Sequence, residues 1–243
     1  MGSPLEESEY EWRVKCVNSK DIESQWSDVW SFIIDKTPPQ IPPIGPGWSP
    51  QNGSIVEDNT PKFEWPAATD SGSGVEKYIF QYATNNDFTD ATTITDLYVT
   101  YYTPTVSLEN DTYFWRVRAV DSAYNTGSWS NTWLFTLDTH PPGVPALLYP
   151  PNGSYLATAD VTFQWGSVAD PGSGAKLSPV RYIIEISSIS MGNTICDTTD
   201  TNTYQVVLAE DMYMWRVRAF DVAGNEGTFS SPDTFGIDLI PPS

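Results

Sequence analysis

Cysteine and histidine are scarce in this sequence, and their scarcity excludes two kinds of chemistry. The 243 residues include two cysteines and one histidine. Cys16 and Cys196 lie at non-equivalent positions of a sequence repeat, so there is no repeated disulfide framework. Cys16 takes the place of Ala119 and Ala219 in that repeat, which predicts a small buried side chain. The sole histidine, His140 in "DTHPP", has no context for Ser-His-Asp or Cys-His catalysis, so we expect no enzyme.

Basic residues and long apolar runs are also few. Twelve lysines and arginines stand against 31 acidic residues, which gives a formal net charge of -19. Phosphate groups are bound by clustered basic side chains, so this balance argues against nucleic acid as a partner. No apolar run approaches the roughly 20 residues that cross a bilayer, so we expect no membrane insertion in this segment. Cations are the more natural ligands of such a chain, although an acidic surface also serves solubility alone.

A segment of thirty residues, 113–142, occurs three times in related form. It reads "YFWRVRAVDSAYNTGSWSNTWLFTLDTHPP", and variants of it begin at Tyr10 and Tyr213. The copies are spaced by 103 and 100 residues, a period that fits a small β domain and exceeds the roughly 20–50 residues of a solenoid repeat. With 40% hydrophobic and 14% aromatic residues, the chain can bury the cores of two domains of about 100 residues each.

Apolar and polar residues alternate within each repeat, which predicts β-strands. Phe63 and Trp65 stand two residues apart, as do Phe163 and Trp165, so each pair lies on one face of a strand. In the strand that begins at residue 113, the predicted inward-facing side chains are Tyr113, Trp115, Val117 and Ala119. No stretch shows the apolar period of about 3.6 residues that is typical of a helix. The sequence therefore predicts an all-β fold.

Several motifs follow one another in a fixed order in each complete repeat: "PP", "NG", "FxW", "GSG" and "YxWRVRA". Their combination resembles the tandem fibronectin type III and immunoglobulin-like repeats of bacterial and archaeal extracellular surface proteins. The resemblance implies tandem β-sandwiches. By this resemblance, Trp65 and Trp165 match the core tryptophan of strand B. Tyr113 and Tyr213 match the tyrosine of strand F, and Leu108 and Leu208 match the leucine before that tyrosine.

Residues 1–36 match only the end of such a repeat. Leu5 and Tyr10 repeat the spacing of the leucine and tyrosine at strand F, so this stretch is predicted to be a partial domain made of the last two strands. Complete sandwiches are predicted at 37–138 and 139–243. The partial domain would expose four core-type side chains, Trp12, Val14, Phe32 and Ile34. We expect strands of another chain or of an upstream segment to cover them.

Six aspartates occupy equivalent positions in two sets. In a sandwich of this type the B–C and F–G loops lie at the end where the chain enters, so carboxylates there should converge with the last residue of the preceding repeat. The two predicted sets are Asp35, Asp70 and Asp121, and Asp138, Asp170 and Asp221. With loop carbonyls and the amide oxygen of Asn125 or Asn225, each set would suit calcium. The alternative is that these residues cap turns through backbone hydrogen bonds.

Two further features could carry a function. Arg116 and Arg118 project from strand F opposite Trp129 and Trp133, an arrangement that resembles the Trp-Arg ladder of cytokine-receptor fibronectin domains. A structural ladder is favoured over a ligand-binding platform, because the feature recurs in every repeat. Three sequons are candidate glycosylation sites, at Asn52, Asn110 and Asn152. Asn-Gly is first a turn signal, so a turn is favoured at the two "NGS" sequons.

These observations lead to two hypotheses about function. The first is a non-enzymatic structural segment of a long extracellular cell-surface, filament or stalk protein. Its domains would act as spacers, and its partners would be other copies of the chain or neighbouring surface-protein domains. The alternative is an adhesin or a carbohydrate-binding accessory module of a secreted enzyme, which would use the exposed aromatic residues Tyr98, Tyr101 and Tyr102. No cofactor is expected besides calcium.

Overall fold

The computed structural model describes residues 4–43, 45–171 and 180–240. Within these ranges the regular structure consists of seventeen β-strands, so the predicted all-β fold is confirmed. The strands are β1 (Ser8–Trp12), β2 (Trp30–Ile34), β3 (Ser54–Val56), β4 (Phe63–Glu64), β5 (Val75–Ala83), β6 (Thr92–Leu97), β7 (Tyr101–Tyr102), β8 (Thr112–Asp121), β9 (Trp133–Leu137), β10 (Leu147–Tyr149), β11 (Ser154–Leu156), β12 (Asp160–Trp165), β13 (Arg181–Ser188), β14 (Thr194–Thr199), β15 (Thr203–Val207), β16 (Asp211–Phe220) and β17 (Asp233–Ile237). No helix long and apolar enough to span a membrane occurs in the described ranges.

The second repeat is a sandwich of two sheets. One sheet has three strands in the order β10-β12-β15, and the other has five in the order β11-β17-β16-β13-β14. The short strand β11 pairs with β17 in parallel, whereas β16 pairs antiparallel with both β13 and β17. Because the two longest strands, β13 and β16, lie side by side, their inward side chains dominate the core.

The first repeat has the same sheet order with a smaller second sheet. Its five strands follow the order β3-β9-β8-β5-β6, which matches the larger sheet of the second repeat strand by strand. The smaller sheet consists of β4 and β7. Ser49 forms an isolated bridge with Glu64 at the place where β10 pairs with β12 in the second repeat. Both repeats thus share one topology, as the sequence repeat predicts.

The core of each repeat is built around tryptophan. Trp65 and Trp165 are 2% and 0% exposed, so the predicted burial of both is confirmed. Trp115 and Trp215, on β8 and β16, have no exposed surface. The inward set predicted for β8 is buried as a whole; it comprises Tyr113, Trp115, Val117 and Ala119. Period-two alternation of the side chains therefore sets which face of each strand enters the core.

The tyrosine of strand F fixes the turn that leads into it. The hydroxyl of Tyr213 donates a hydrogen bond to the carbonyl oxygen of Ala209, four residues earlier, at 3.1 Å. Tyr10 makes the same bond to the carbonyl of Glu6 at 3.0 Å. A buried tyrosine must pair its hydroxyl, and a carbonyl of the preceding turn satisfies it.

The opening segment forms a hairpin of β1 and β2 and has the strand register of a complete repeat. Tyr10 pairs with Phe32 as Tyr213 pairs with Phe235. The ring centroids are 5.6 Å apart in the first pair and 5.5 Å in the second, and both pairs are stacked at 21°. The hairpin thus has the register of an F–G pair, and the assignment of residues 1–36 to a partial repeat remains a prediction.

The predicted burial of Cys16 is wrong. Its side chain is exposed, as is that of Cys196. β1 and β2 form a sheet of their own, and no second sheet covers it in the part of the chain that the structure describes. Cys16 therefore takes the position of a core alanine without having the core around it.

The described residues fall into two compact units. The first lies within residues 1–53, 61–105 and 112–135, and the second within 54–60, 106–111 and 136–243. Each of the two predicted aspartate sets belongs to a single unit. The domain boundaries at residues 37 and 139 remain a prediction.

Candidate functional site

The structure brings together the aspartates of both predicted sets. Asp35, Asp70 and Asp121 each place a carboxylate oxygen within 4.8 Å of the other two, and so do Asp138, Asp170 and Asp221. We call them the Asp35 cluster and the Asp138 cluster. One residue of the Asp35 cluster and two of the Asp138 cluster are buried, namely Asp121, Asp138 and Asp221. Such sets of hard oxygen atoms suit calcium, which takes six to eight oxygen ligands.

An asparagine of the F–G loop holds each cluster from one side. The Asn125 amide nitrogen donates to Oδ2 of Asp121 at 2.9 Å and to the carbonyl oxygen of Asp35 at 3.1 Å. Asn225 repeats both bonds with Asp221 and Asp138, each at 2.9 Å. The prediction that the amide oxygen faces the cluster is therefore wrong: the surrounding carboxylate and carbonyl oxygens need donors, and only the amide nitrogen supplies them.

The loop that follows Asp70 supplies donors to the Asp35 cluster. Oδ2 of Asp35 accepts hydrogen bonds from the backbone nitrogen of Ser73 at 2.7 Å and from its hydroxyl at 2.6 Å. Oδ1 of Asp35 accepts from the backbone nitrogen of Thr37 at 3.0 Å. The Ser73 hydroxyl contributes most to lowering the pKa of Asp35. Hydrogen bonds from the protein thus stabilise this carboxylate in its charged form.

Asp138 has fewer partners than Asp35. Its Oδ1 accepts a hydrogen bond from the backbone nitrogen of His140 at 3.0 Å, whereas its buried Oδ2 has no hydrogen-bond partner among residues 4–43, 45–171 and 180–240. Burial raises the pKa of Asp138, and the negative charges of Asp170 and Asp221 raise it further. The two clusters therefore share their residue types and their spacing.

The predicted ladder forms on the outward face of β8. The guanidinium carbons of Arg116 and Arg118 lie 4.5 and 4.4 Å from the ring centre of Trp129. Phe88 covers the other side of Arg116 at 3.8 Å, and Arg116 also donates two hydrogen bonds to Oε1 of Gln81, at 3.0 and 2.8 Å. Planar guanidinium groups stack on aromatic faces in this way. Arg116 is therefore held on all sides by its own chain, which favours a structural ladder.

Related contacts recur in the other two F–G pairs. Arg216 and Arg218 lie 4.1 and 4.9 Å from the ring centre of Phe229. Arg13 and Lys15 lie 4.5 and 4.9 Å from that of Trp26.

Trp133 does not belong to the ladder, contrary to the prediction. Its ring stacks on Trp48 with the centroids 4.9 Å apart and the planes at 10°, and Trp48 in turn lies 5.3 Å from the core residue Trp115. Trp48 is buried, so this pair extends the hydrophobic core. Trp133 therefore faces the core side of the sheet. Three residues outside the strands, Ser130, Asn131 and Thr132, separate it from Trp129.

We expect Trp129→Ala to lower the free energy of unfolding by about 1–4 kcal/mol, because it removes two cation–π contacts of about 0.5–2 kcal/mol each. Urea unfolding of the full chain, followed by circular dichroism, measures the change. Tyr98 is 66% exposed and provides the control: Tyr98→Ala should shift stability by no more than about 0.5 kcal/mol. Equal shifts for both variants would contradict a structural ladder.

One face of the opening hairpin is apolar and exposed. Residues that pair directly across the two strands share a face, so one face carries Tyr10, Trp12, Trp30, Phe32 and Ile34. Together with Val14 we call this surface the hairpin face. Trp12, Val14 and Phe32 are 49%, 55% and 41% exposed, and Ile34 is half-buried. Trp115 and Trp215, at the position of Trp12, have no exposed surface.

The sequons at Asn52 and Asn152 form turns. Oδ1 of Asn52 accepts from the backbone nitrogen of Leu134 at 3.0 Å, and the nitrogen of Gly53 donates to the Leu134 carbonyl at 2.7 Å. Asn152 and Gly153 make the same two bonds to Thr234, at 2.9 and 2.6 Å. Both glycines have positive φ, as an Asn-Gly turn requires. Glycosylation of these residues remains a prediction.

The third sequon residue, Asn110, is half-buried. Its Oδ1 accepts from the backbone nitrogen of Thr139 at 3.2 Å and from the Thr139 hydroxyl at 3.0 Å, and its amide nitrogen contacts Nδ1 of His140. The predicted modification of Asn110 would have to displace these partners.

The aromatic residues of the alternative hypothesis are partly exposed. Tyr98 and Tyr101 are 66% and 45% exposed, whereas Tyr102 is half-buried. The ammonium of Lys62 lies 4.7 Å from the ring centre of Tyr101. The pairing of Tyr102 with Phe63 corresponds to that of Tyr204 with Phe163. The position of Tyr101 is therefore occupied by a threonine in the second repeat.

Comparisons with known proteins give three similar chains. Exoglucanase B of Cellulomonas fimi is 30% identical over 207 residues, which amount to 81% of this chain and 17% of the exoglucanase. The FN1-FN3 domains of chicken CNTN1 have a TM-score of 0.46 at 15% identity, covering 93% of this chain and 77% of that one. The fibronectin(III)-like modules of Clostridium thermocellum CbhA have a TM-score of 0.45 at 20% identity, covering 78% and 90%. No family model matches.

The sheet order of the repeats decides their class. A sheet of β10, β12 and β15 faces a sheet that contains β17, β16, β13 and β14 in that order, and the strand F tyrosine closes its corner. The chain carries tandem fibronectin type III-like repeats. It spans less than a fifth of the exoglucanase that it resembles.

Proposed function

We propose that this chain is a non-catalytic structural segment of a long extracellular surface, filament or stalk protein. Its repeats act as spacers, and its hairpin face acts as an assembly contact with another copy of the chain. The observation that carries this proposal is the register of the hairpin, which is that of strands F and G in a complete repeat. An extracellular setting is supported by the similarity to Exoglucanase B of Cellulomonas fimi.

The energetics favour a covered hairpin face. Burying a large apolar side chain stabilises a protein by about 1.5–3 kcal/mol, and the hairpin face holds several that are exposed. A contiguous apolar surface of this kind marks an interaction site. Strands added by a neighbouring copy would pair the free backbone edges of the hairpin as well as cover its side chains. Strand addition would thus explain both why the apolar side chains of the hairpin face are exposed and why β1 and β2 keep the strand register of a complete repeat.

The proposal predicts that the chain self-associates through the hairpin face. We expect the mass of the full chain, measured by light scattering, to rise with protein concentration. Trp12→Ser combined with Phe32→Ser should keep the chain monomeric, since it removes two large apolar groups from that face.

The matched control changes two exposed apolar residues of the second unit, Tyr155→Ser and Val207→Ser, which are 70% and 73% exposed. This variant should associate as the unchanged chain does. Association that persists in the hairpin variant, or a chain that stays monomeric at all concentrations, would contradict the assembly role.

A second candidate function is an accessory module of a secreted enzyme that binds a polysaccharide. The similarity to an exoglucanase supports it, and so do the exposed rings of Tyr98 and Tyr101, which occur in the first repeat. A docking surface is more often confined to one repeat than shared by all. Retention of the chain on cellulose, lost on Tyr98→Ala with Tyr101→Ala, would favour this function over the structural one.

A further inference from the structure

Each complete repeat closes the backbone edge of its last strand in the same way. In the second repeat, the backbone nitrogen of Gly153 donates to the carbonyl oxygen of Thr234 at 2.6 Å, and the nitrogen of Thr234 donates to Oδ1 of Asn152 at 2.9 Å. The first repeat makes the same two bonds at Leu134, at 2.7 and 3.0 Å. We call an Asn-Gly turn and the short strand after it, such as residues 152–156, an Asn-Gly strand.

The far end of each Asn-Gly strand is held by the aspartate that follows the last strand of the repeat. The backbone nitrogen of Asp238 donates to the carbonyl oxygen of Leu156 at 3.0 Å, and that of Asp138 donates to Val56 at 2.9 Å. Between the two ends, β11 pairs in parallel with β17. Three hydrogen bonds at fixed positions therefore set the register of an Asn-Gly strand.

The opening hairpin presents the same edge. The register of β1 with β2 places Ser31 at the position of Thr234. By the same count Asp35 stands where Asp238 does. Among residues 4–43, 45–171 and 180–240, β2 pairs with β1 alone, and Ser31 is exposed. The backbone groups that hold an Asn-Gly strand in the complete repeats thus lie at an open edge, which is a template for strand pairing.

There is room for a strand to end beside β2. A cavity of about 330 Å³ lies at this end of the hairpin, and its lining includes Ile33, Ile34, Asp35 and Gly72. Asp35 marks the position at which an Asn-Gly strand ends in the complete repeats. The cavity therefore lies where the last residues of a docked strand would be placed.

The charge at this end of β2 favours an uncharged strand. Glu7 and Glu9 line the cavity together with Asp35. Acidic residues at the end of a docked strand would be repelled by these carboxylates. The strand β3 is followed directly by Glu57 and Asp58, whereas β11 is followed by the uncharged stretch "ATA". The Asn-Gly strand of the second repeat thus has the sequence that suits the open edge.

We infer that the open edge of β2 is a docking site for an Asn-Gly strand of a partner, which enters parallel to β2. Its asparagine and glycine bond to the backbone of Ser31, and its last residue accepts from the backbone nitrogen of Asp35. The partner segment is extended and uncharged, with serine after the Asn-Gly pair. This inference rests on the proposed assembly role of the hairpin, and it adds the edge that is used, the direction of the strand and its sequence.

The probe is a synthetic peptide with the sequence of residues 150–159, added to the isotope-labelled full chain. We expect saturable shifts of the backbone amide resonances of Ser31 and Asp35, because both groups gain a hydrogen bond. A second peptide with the sequence of residues 50–59 should bind more weakly at low salt, because it carries Glu57 and Asp58.

A change within the peptide tests the turn. Gly153 has a φ of 73°, which an L-residue adopts at a cost of about 1–2 kcal/mol. Gly153→Ala in the peptide should therefore weaken binding about tenfold. The matched control is D-alanine at the same position, which favours positive φ and should bind as glycine does.

Two variants of the chain test the edge. Ser31→Pro removes the backbone donor at an edge position where proline is tolerated, so binding should be lost, whereas Ser31→Ala keeps the donor and should bind normally. The monomeric variant Trp12→Ser with Phe32→Ser should still bind the peptide, because the bonds to Ser31 use backbone atoms.

The outcomes separate this inference from the proposed function. A chain that never self-associates but binds the peptide would contradict the assembly between copies and support the docking site. The inference is overturned if the amide resonances of Ser31 and Asp35 do not respond, if Ser31→Pro binds as Ser31→Ala does, or if the L-alanine peptide binds as tightly as the glycine peptide.

Discussion

Replacing Trp165 with alanine is expected to lower the free energy of unfolding of the second unit by about 3–5 kcal/mol. The indole is 0% exposed and lies 5.5 Å, edge to face, from the ring of Tyr182. Alanine would forfeit its burial and leave a cavity that a close-packed core fills only in part. Urea unfolding of the full chain should therefore show an early transition, while the transition of the first unit stays in place.

Trp165→Phe distinguishes the effect of losing the aromatic ring from the effect of losing the indole nitrogen. The buried indole nitrogen makes no hydrogen bond in the described part of the chain, so phenylalanine removes an unpaired donor while it keeps an aromatic ring. We expect a cost below about 1.5 kcal/mol. A loss as large as that of the alanine variant would show that the site tolerates no change of shape. An alanine variant as stable as the unchanged chain would contradict the burial of Trp165.

A second large effect is expected at Gly227, where Gly227→Ala should destabilise the second unit by about 1–3 kcal/mol through overpacking. A Cβ there would lie 2.7 Å from the carbonyl oxygen of Pro142 and 3.1 Å from that of Ala219. Both are backbone atoms. The Gly227 nitrogen also donates to the Ala219 carbonyl at 2.8 Å, so moving away would stretch that bond. Pro142 is buried and cannot yield without shifting the segment that precedes β10.

Gly143→Ala is the matched control, because the nearest atom to its Cβ would be 3.7 Å away, an ordinary contact. That variant should be neutral or more stable by up to about 1 kcal/mol, since alanine restricts the unfolded chain. Differential scanning calorimetry of the two variants compares them directly. Equal melting temperatures would show that the segment at Pro142 is free to move.

The strand faces could be predicted from the sequence because they depend on a local rule. Side chains alternate along a strand, so the spacing of Phe63 and Trp65, or of Tyr113 and Trp115, is enough to assign them to the core. The sequence repeat then predicts that the strands pair in the same order in both repeats, because copies of one motif adopt one topology. The same logic identified the opening hairpin and placed each aspartate set at one end of a sandwich.

Features that depend on the packing of a loop could not be predicted in this way. Trp133 follows the motif "WSNT", and its inward orientation depends on Trp48, a residue of a Gly/Pro-rich stretch distant in sequence. Phe88, which packs against the Arg116 guanidinium, lies in a turn. The φ angle of Phe88 is positive, an uncommon backbone conformation for this residue type.

The Asn-Gly turns carry a consequence for chemical ageing. An asparagine before glycine is prone to lose its side-chain amide, because the unhindered glycine nitrogen attacks the side-chain carbonyl carbon and forms a cyclic imide. In both turns the glycine nitrogen donates a hydrogen bond to a backbone carbonyl of β9 or β17. The backbone nitrogen of the same strand residue donates to the asparagine Oδ1. Cyclisation would have to break both bonds at once, so Asn52 and Asn152 should deamidate far more slowly in the folded chain than in the unfolded one.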